Sequence, residues 1–170
     1  MESQAQQRLS DDHEALSEVL KQLLTALDNK DVAITYSRLD LLWARLAVHI
    51  RAEHLHLFPA VTSRLSKAES IVERLRADHD FFMRELARAI GFLRELPASD
   101  QAKLTAVGDV VREVEKRLVT HNEIEENQIY RWAGTGLTQP EQTDLAARIK
   151  AELENHPPRF SVEAWANESL

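Results

Sequence analysis

Apolar residues return every three or four positions along almost the whole chain, and strict apolar–polar alternation persists nowhere. That period is the mark of amphipathic helices rather than strands. A first helix is predicted over about 11–28, with His13, Leu16, Leu20, Leu23, Leu24 and Leu27 on its inner face. The polar run Asp28-Asn29-Lys30-Asp31 interrupts it. A second helix follows over about 32–57, turning Leu39, Leu42, Leu46, His49, Glu53 and His56 inward. It is expected to stop near Pro59, whose ring cannot continue a helical hydrogen-bond ladder. A short helical piece or loop fills about 60–66.

The third helix, over about 67–96, points Val72, Leu75, His79, Phe82, Met83, Leu86, Ile90 and Leu93 inward. The turn Pro97-Ala98-Ser99-Asp100 leads to a fourth, over about 101–132, with Val107, Val111, Val114, Leu118, His121 and Glu125 on one face. Gly134-Thr135-Gly136 ends it. Thr138-Gln139-Pro140-Glu141 then reads as a capping box that opens a fifth helix, to about Asn155. The tail is irregular, and its aromatic residues Phe160 and Trp165 are expected to dock on the bundle or on a partner. Long helices joined by short loops predict an all-α fold, an up-down-up-down four-helix bundle with an extra C-terminal helix. The domain would span 1–155 and the irregular tail 156–170.

The apolar stripes are interrupted by groups a core does not tolerate unpaired. His49 and Glu53 are spaced i, i+4, as are His121 and Glu125, so each pair occupies one helix face. His13 and His79 each stand in line with the apolar stripe of their own helix. Each of these histidines lies roughly 15–20 residues from the nearest short turn, so antiparallel packing at about 1.5 Å per residue brings them to similar heights. Such a cluster costs several kcal/mol unless something satisfies it. A divalent transition metal does so, because imidazole suits Fe, Zn, Cu and Ni while carboxylates add hard oxygen donors. Six ligands exceed the four of a tetrahedral zinc site. Two ions bridged by two carboxylates use all six, and iron is the first choice.

His13, His49-x-x-x-Glu53, His79 and His121-x-x-x-Glu125, in that order on four helices, resemble the hemerythrin-like family, the HHE cation-binding domain. The likeness covers about 10–133 and includes the segments HIRAEHLHLFP and HNEIEENQIY. It implies a bundle holding two Fe ions with an oxo or hydroxo bridge. On that mapping His13 and His49 hold one ion, His79 and His121 the other, and Glu53 and Glu125 bridge them. Zinc or another divalent metal is the substitute. The family's roles include oxygen binding, oxygen, redox or iron sensing, and handling of nitric oxide or damaged iron centres.

The oxygen carriers of the family place a fifth histidine one turn after the third-helix one, where this chain has Met83, a poor ligand for ferric iron. That leaves an open position on both ions and favours sensing or redox chemistry over oxygen transport. Glu126 is a candidate to fill the gap, ranked below Glu125 as the bridge. His54 is expected to be structural, at an interface or in solvent. His56 is a neighbouring donor or a spare ligand, and His156 is exposed. Tyr130 is read as packing, as are Trp43, Trp132, Phe81 and Phe82.

Composition narrows the function without choosing it. The chain has 170 residues, 44% hydrophobic and 29% charged, with 4 Gly and 5 Pro, a profile of one globular domain. Its net charge of −7, with arginines dispersed among acids, argues against a nucleic-acid partner. The absence of cysteine removes disulfides, thiolate metal sites and cysteine nucleophiles. The first residues lack the basic-then-apolar pattern of a signal peptide, and no apolar run suits a membrane span. A cytoplasmic protein binding a small diatomic ligand, O2 or NO, is the leading expectation. The alternatives are a di-iron enzyme with oxidase, peroxidase or nitric-oxide and iron-handling chemistry, and a structural bundle with an empty or zinc-filled site. The protein partner and oligomeric state stay open.

Overall fold

The computed structural model describes residues 3–95, 101–157 and 160, and the secondary structure there is helical throughout. Helix α1 spans Gln4–Asp28 and starts seven residues earlier than the apolar pattern suggests, because Ser3 caps it: its hydroxyl accepts the amide of Gln6 at 3.1 Å. Lys30, at φ 58°, turns the chain, and Asp31 caps α2 (Val32–Ala52) by accepting the amide of Ile34 at 2.9 Å.

Pro59 does not end the second helix. A π-helical turn, Glu53–Leu57, follows α2, and its i→i+5 hydrogen bond from the Phe58 amide to the Glu53 carbonyl resets the register. Helix α3 (Phe58–Thr62) therefore begins afresh with Pro59 in its first turn, where a missing N–H costs nothing. A 3₁₀ turn, Ser66–Ala68, leads into α4 (Glu69–Arg94). The expected turn at 97–100 lies outside the described residues. Helix α5 (Gln101–Ile124) passes through a second π-helical turn, Glu125–Tyr130, into α6 (Arg131–Thr135). Helix α7 (Gln139–Leu153) has the expected capping box, with the Glu141 carboxylate accepting the Thr138 amide at 2.8 Å and its hydroxyl at 2.7 Å.

Helix α1 packs on α2 and α5, and α4 packs on α2 and α5, so four long helices close into a bundle. Helix α7 lies across α1 and α2, held by an Arg51–Glu152 ion pair and by Arg51 donating to the Asn155 carbonyl at 2.7 Å. The apolar interior is divided. One cluster (Leu16, Leu23, Leu42, Phe82, Val111 and neighbours) fills the end near the α1–α2 turn. A second (Leu9, Leu57, Phe58, Leu75, Tyr130, Ile149 and neighbours) fills the other end under α7. Phe160 is buried in the first cluster, whereas Trp165 lies outside the described residues. Between the two clusters sits a layer of charge.

Candidate metal centre

His13, His49, Glu53, His79, His121 and Glu125 are all buried and meet in that layer. They form two groups that share carboxylates. His13 Nε2 lies 3.3 Å from Glu125 Oε2, and His49 Nε2 lies 3.5 Å from Glu53 Oε1. On the other side, His79 Nε2 is 3.4 Å from both Glu53 Oε2 and Glu125 Oε1, and His121 Nε2 is 3.0 Å from Glu125 Oε1. The two halves are thus joined by the same pair of carboxylates. Both glutamates open π turns, which allow side chains five residues apart to share a face.

All four imidazoles have Nε2 inward and Nδ1 engaged outward. His49 Nδ1 bonds Asp12 at 2.9 Å, and His121 Nδ1 bonds Asp78 at 3.2 Å. The aspartates are themselves held by arginines, Arg45 on Asp12 at 2.8 Å and Arg117 on Asp78 at 2.6 Å. His13 Nδ1 meets Glu126 at 3.0 Å, and His79 Nδ1 meets His54 Nε2 at 2.9 Å. On His13, His49 and His121, whose outward partners are carboxylates, a proton on Nδ1 leaves Nε2 as the ligating atom, whereas His79 Nδ1 accepts from His54, whose own Nδ1 is taken by Arg76 at 3.1 Å.

The arrangement repeats. Asp12-His13 with Arg45-x₃-His49-x₃-Glu53-x₄-Phe58 matches Asp78-His79 with Arg117-x₃-His121-x₃-Glu125-x₄-Tyr130. The Phe58 ring stacks on His79 at 5.9 Å between centroids, and the Tyr130 ring lies 5.3 Å from His13. Besides the outward partners of His13 and His79, Glu126 and His54, the halves differ at the Tyr130 hydroxyl. It donates to Glu53 Oε1 at 2.6 Å and lies 3.0 Å from His13 Nε2, 3.3 Å from His49 Nε2 and 3.3 Å from Glu125 Oε2. Tyr130 is therefore not simple packing. The repeated spacing to an aromatic five residues past each glutamate was the available signal.

Three other expectations change. His54 touches the cluster through His79, and burial together with the neighbouring His79 and Arg76 lowers it to about 4. His56 faces α7 instead, 3.6 Å from Glu152, because the π turn rotates it off the inner face. Glu126 binds His13 from outside rather than entering the centre. Met83 packs against the first apolar cluster.

The electrostatics are those of a site built for positive charge. Burial works to raise the Glu125 carboxyl, but His121, His13 and His79 outweigh it and hold it well below the usual range. Burial works to lower His49, yet Glu53 and Asp12 push it well above the ordinary imidazole value. His121 is raised in the same way by Glu125, Glu53 and Asp78. Even so, Glu53 Oε2 and Glu125 Oε1 are buried and make no well-formed hydrogen bond, meeting only the ring nitrogens of His79 and His121 at 3.0–3.4 Å. Two orphaned carboxylate oxygens among inward imidazole nitrogens fit divalent cations, whose bonds replace the missing hydrogen bonds.

A helical bundle with a buried layer of histidines and shared carboxylates defines the class: a cation-binding helical domain. The chain belongs to the hemerythrin HHE cation-binding domain family, whose model matches residues 4–133. No curated protein and no solved structure gives a significant match. Among the described residues no helix is long and apolar enough to cross a membrane.

Proposed function

We propose that this protein binds two iron ions in the bundle core and uses them to bind or sense O2 or another small diatomic ligand. The observation that carries this reading is the pair of orphaned oxygens, Glu53 Oε2 and Glu125 Oε1, each facing imidazole nitrogens of the His79–His121 half. His13 and His49 would hold one ion and His79 and His121 the other, with Glu53 and Glu125 shared between them. Iron, when bound, supplies a reversible change of oxidation state and a coordination position for a diatomic ligand. The chain's own residues do the rest. Asp12 and Asp78 fix the tautomer and aim of His49 and His121. Phe58, Phe82 and the flanking leucines exclude water, which preserves the strength of every charge interaction inside.

The up-down-up-down order belongs to the same reading, supported by the tight α1–α2 turn and the ring of helix contacts. So do the division into a domain over 1–155 and a tail over 156–170, and a place in the cytoplasm. The test is elemental analysis of untagged protein grown with ample iron, with absorption spectra before and after air exposure. About two irons per chain and an oxygen-sensitive near-ultraviolet band support the reading. No iron, or a single zinc, sinks the oxygen chemistry while leaving the bundle intact.

A further inference from the structure

The two halves of the centre are related by a repeated motif, yet only one contains an oxygen at its aromatic position. Tyr130 and Phe58 are both fully buried, each five residues beyond a bridging glutamate. Five residues of regular α-helix would carry Tyr130 about 140° away from Glu125. The π turn cancels that rotation and delivers the hydroxyl to the space between His13, His49, Glu53 and Glu125.

Four ligand-type atoms from α1, α2 and the two π turns converge on that space. The Nδ1 protons of His13 and His49 point outward to Glu126 and Asp12. Their Nε2 atoms face the hydroxyl, together with one oxygen each of Glu53 and Glu125. The phenol has a single proton, and Glu53 at 2.6 Å takes it. The remaining approaches, at 3.0–3.3 Å, gather His13 Nε2, His49 Nε2 and Glu125 Oε2 about the same phenol oxygen, so the hydroxyl stands at the centre of one half's donor set. In the other half the corresponding aromatic is Phe58, which has no donor atom, and the orphaned Glu53 Oε2 and Glu125 Oε1 face that side.

We propose that Tyr130 is a ligand of the metal ion held by His13 and His49, so that the exchangeable position lies on the ion held by His79 and His121, beside Phe58. The proposal rests on the two-ion reading above. The phenol gives up its proton to solvent on binding, and its oxygen supplies the donor pair. The first ion is thereby closed, and the second keeps a free position against an apolar wall. This places closure on the opposite half from Met83, which belongs to the same helix as His79.

The experiment uses the full chain in its oxidised, iron-loaded form, with iron counted first. Phenolate bound to ferric iron gives a visible charge-transfer band, and excitation in that band enhances tyrosinate ring vibrations in the resonance Raman spectrum. Ring-deuterated tyrosine must shift those vibrations. The chain has two tyrosines, so Tyr36→Phe, on the partly exposed ring that bonds Arg94, is the control that retains the band. Tyr130→Phe is expected to abolish it and to raise azide binding from one to two per chain. Phe58→Tyr is expected to lower azide binding to none.

Two irons with the tyrosinate signature support the proposal, whether or not either variant folds. Two irons without it overturn the proposal and leave Tyr130 as a hydrogen-bond donor to Glu53, with the di-iron reading intact. Fewer than two irons in the unaltered chain overturn the underlying reading and this proposal with it.

Discussion

Asp12 accepts the Nδ1 proton of His49 in a buried hydrogen bond of 2.9 Å, and Arg45 holds that aspartate from behind at 2.8 Å. The chain Arg45–Asp12–His49 fixes which imidazole nitrogen is free. Asp12→Asn keeps the shape but can offer an amide N–H to Nδ1, which turns the Nε2 proton into the centre. Metal affinity is expected to fall roughly 10–100-fold. Competition with a chelator of known affinity measures it. Asp78→Asn should act likewise on His121, and an unchanged affinity in both variants would refute an orienting role.

His49→Ala and Glu53→Ala each remove an inward donor from a fully buried layer. Both are expected to lose metal, whereas His156→Ala, on a residue that meets the site only through Arg45 at 3.4 Å, should retain it. Metal per chain after desalting is the readout. Retention of two irons by His49→Ala contradicts the ligand assignment.

Removing the metal should weaken the fold, because buried carboxylates and imidazoles are then left to compensate one another. Binding at a hundredfold excess over Kd stabilises by about 2.7 kcal/mol. For a chain of this size that corresponds to a Tm fall of roughly 5–10 °C on chelation. Scanning calorimetry with and without chelator checks it, with His49→Ala expected to show no such shift.

Glu152 ties α7 to the second helix. Burial works to raise its carboxyl, but Arg51 and His56 outweigh this and hold it below its ordinary value. A depressed carboxyl contributes stability above its unfolded pKa and loses it as pH falls through the folded one. The α7 amides should therefore exchange faster with solvent in mild acid than at neutral pH, after correction for the intrinsic pH dependence of exchange. Glu152→Gln should remove that difference. A partly exposed pair of this kind contributes about 0–1 kcal/mol.

Gly136 follows α6, and a methyl group there would meet the Trp132 indole well inside contact distance, with Cζ2 at 2.8 Å. Gly136→Ala should displace the ring and cost about 1–3 kcal/mol. Denaturant unfolding gives the loss, and a shift in tryptophan emission reports the ring.

The helices and the inward clustering of six His and Glu side chains were legible because period and spacing encode them. Leu16, Leu20 and Leu23 mark one face of α1, and His49-x₃-Glu53 can only share a face while the helix is regular. The π turns were not legible, since nothing in Glu53-His54-Leu55-His56-Leu57 announces a wider loop of backbone. That one omission accounts for the misplaced stop at Pro59, for His56 turning to Glu152 and for the site role of Tyr130. The outward partners Asp12, Asp78 and His54 were missed differently. Charged or polar residues beside ligands read as solvated faces until a tertiary contact claims them.

Each π turn carries one residue more than a regular helix needs at that place. Deleting a single residue from Glu125–Tyr130 would let the backbone relax to ordinary α geometry and swing everything beyond it by about 100°. Glu125 would keep its station while Tyr130 left the centre. The surplus residue thus works as a spacer: it sets the angular phase between the bundle that holds the histidines and the helical segment that follows.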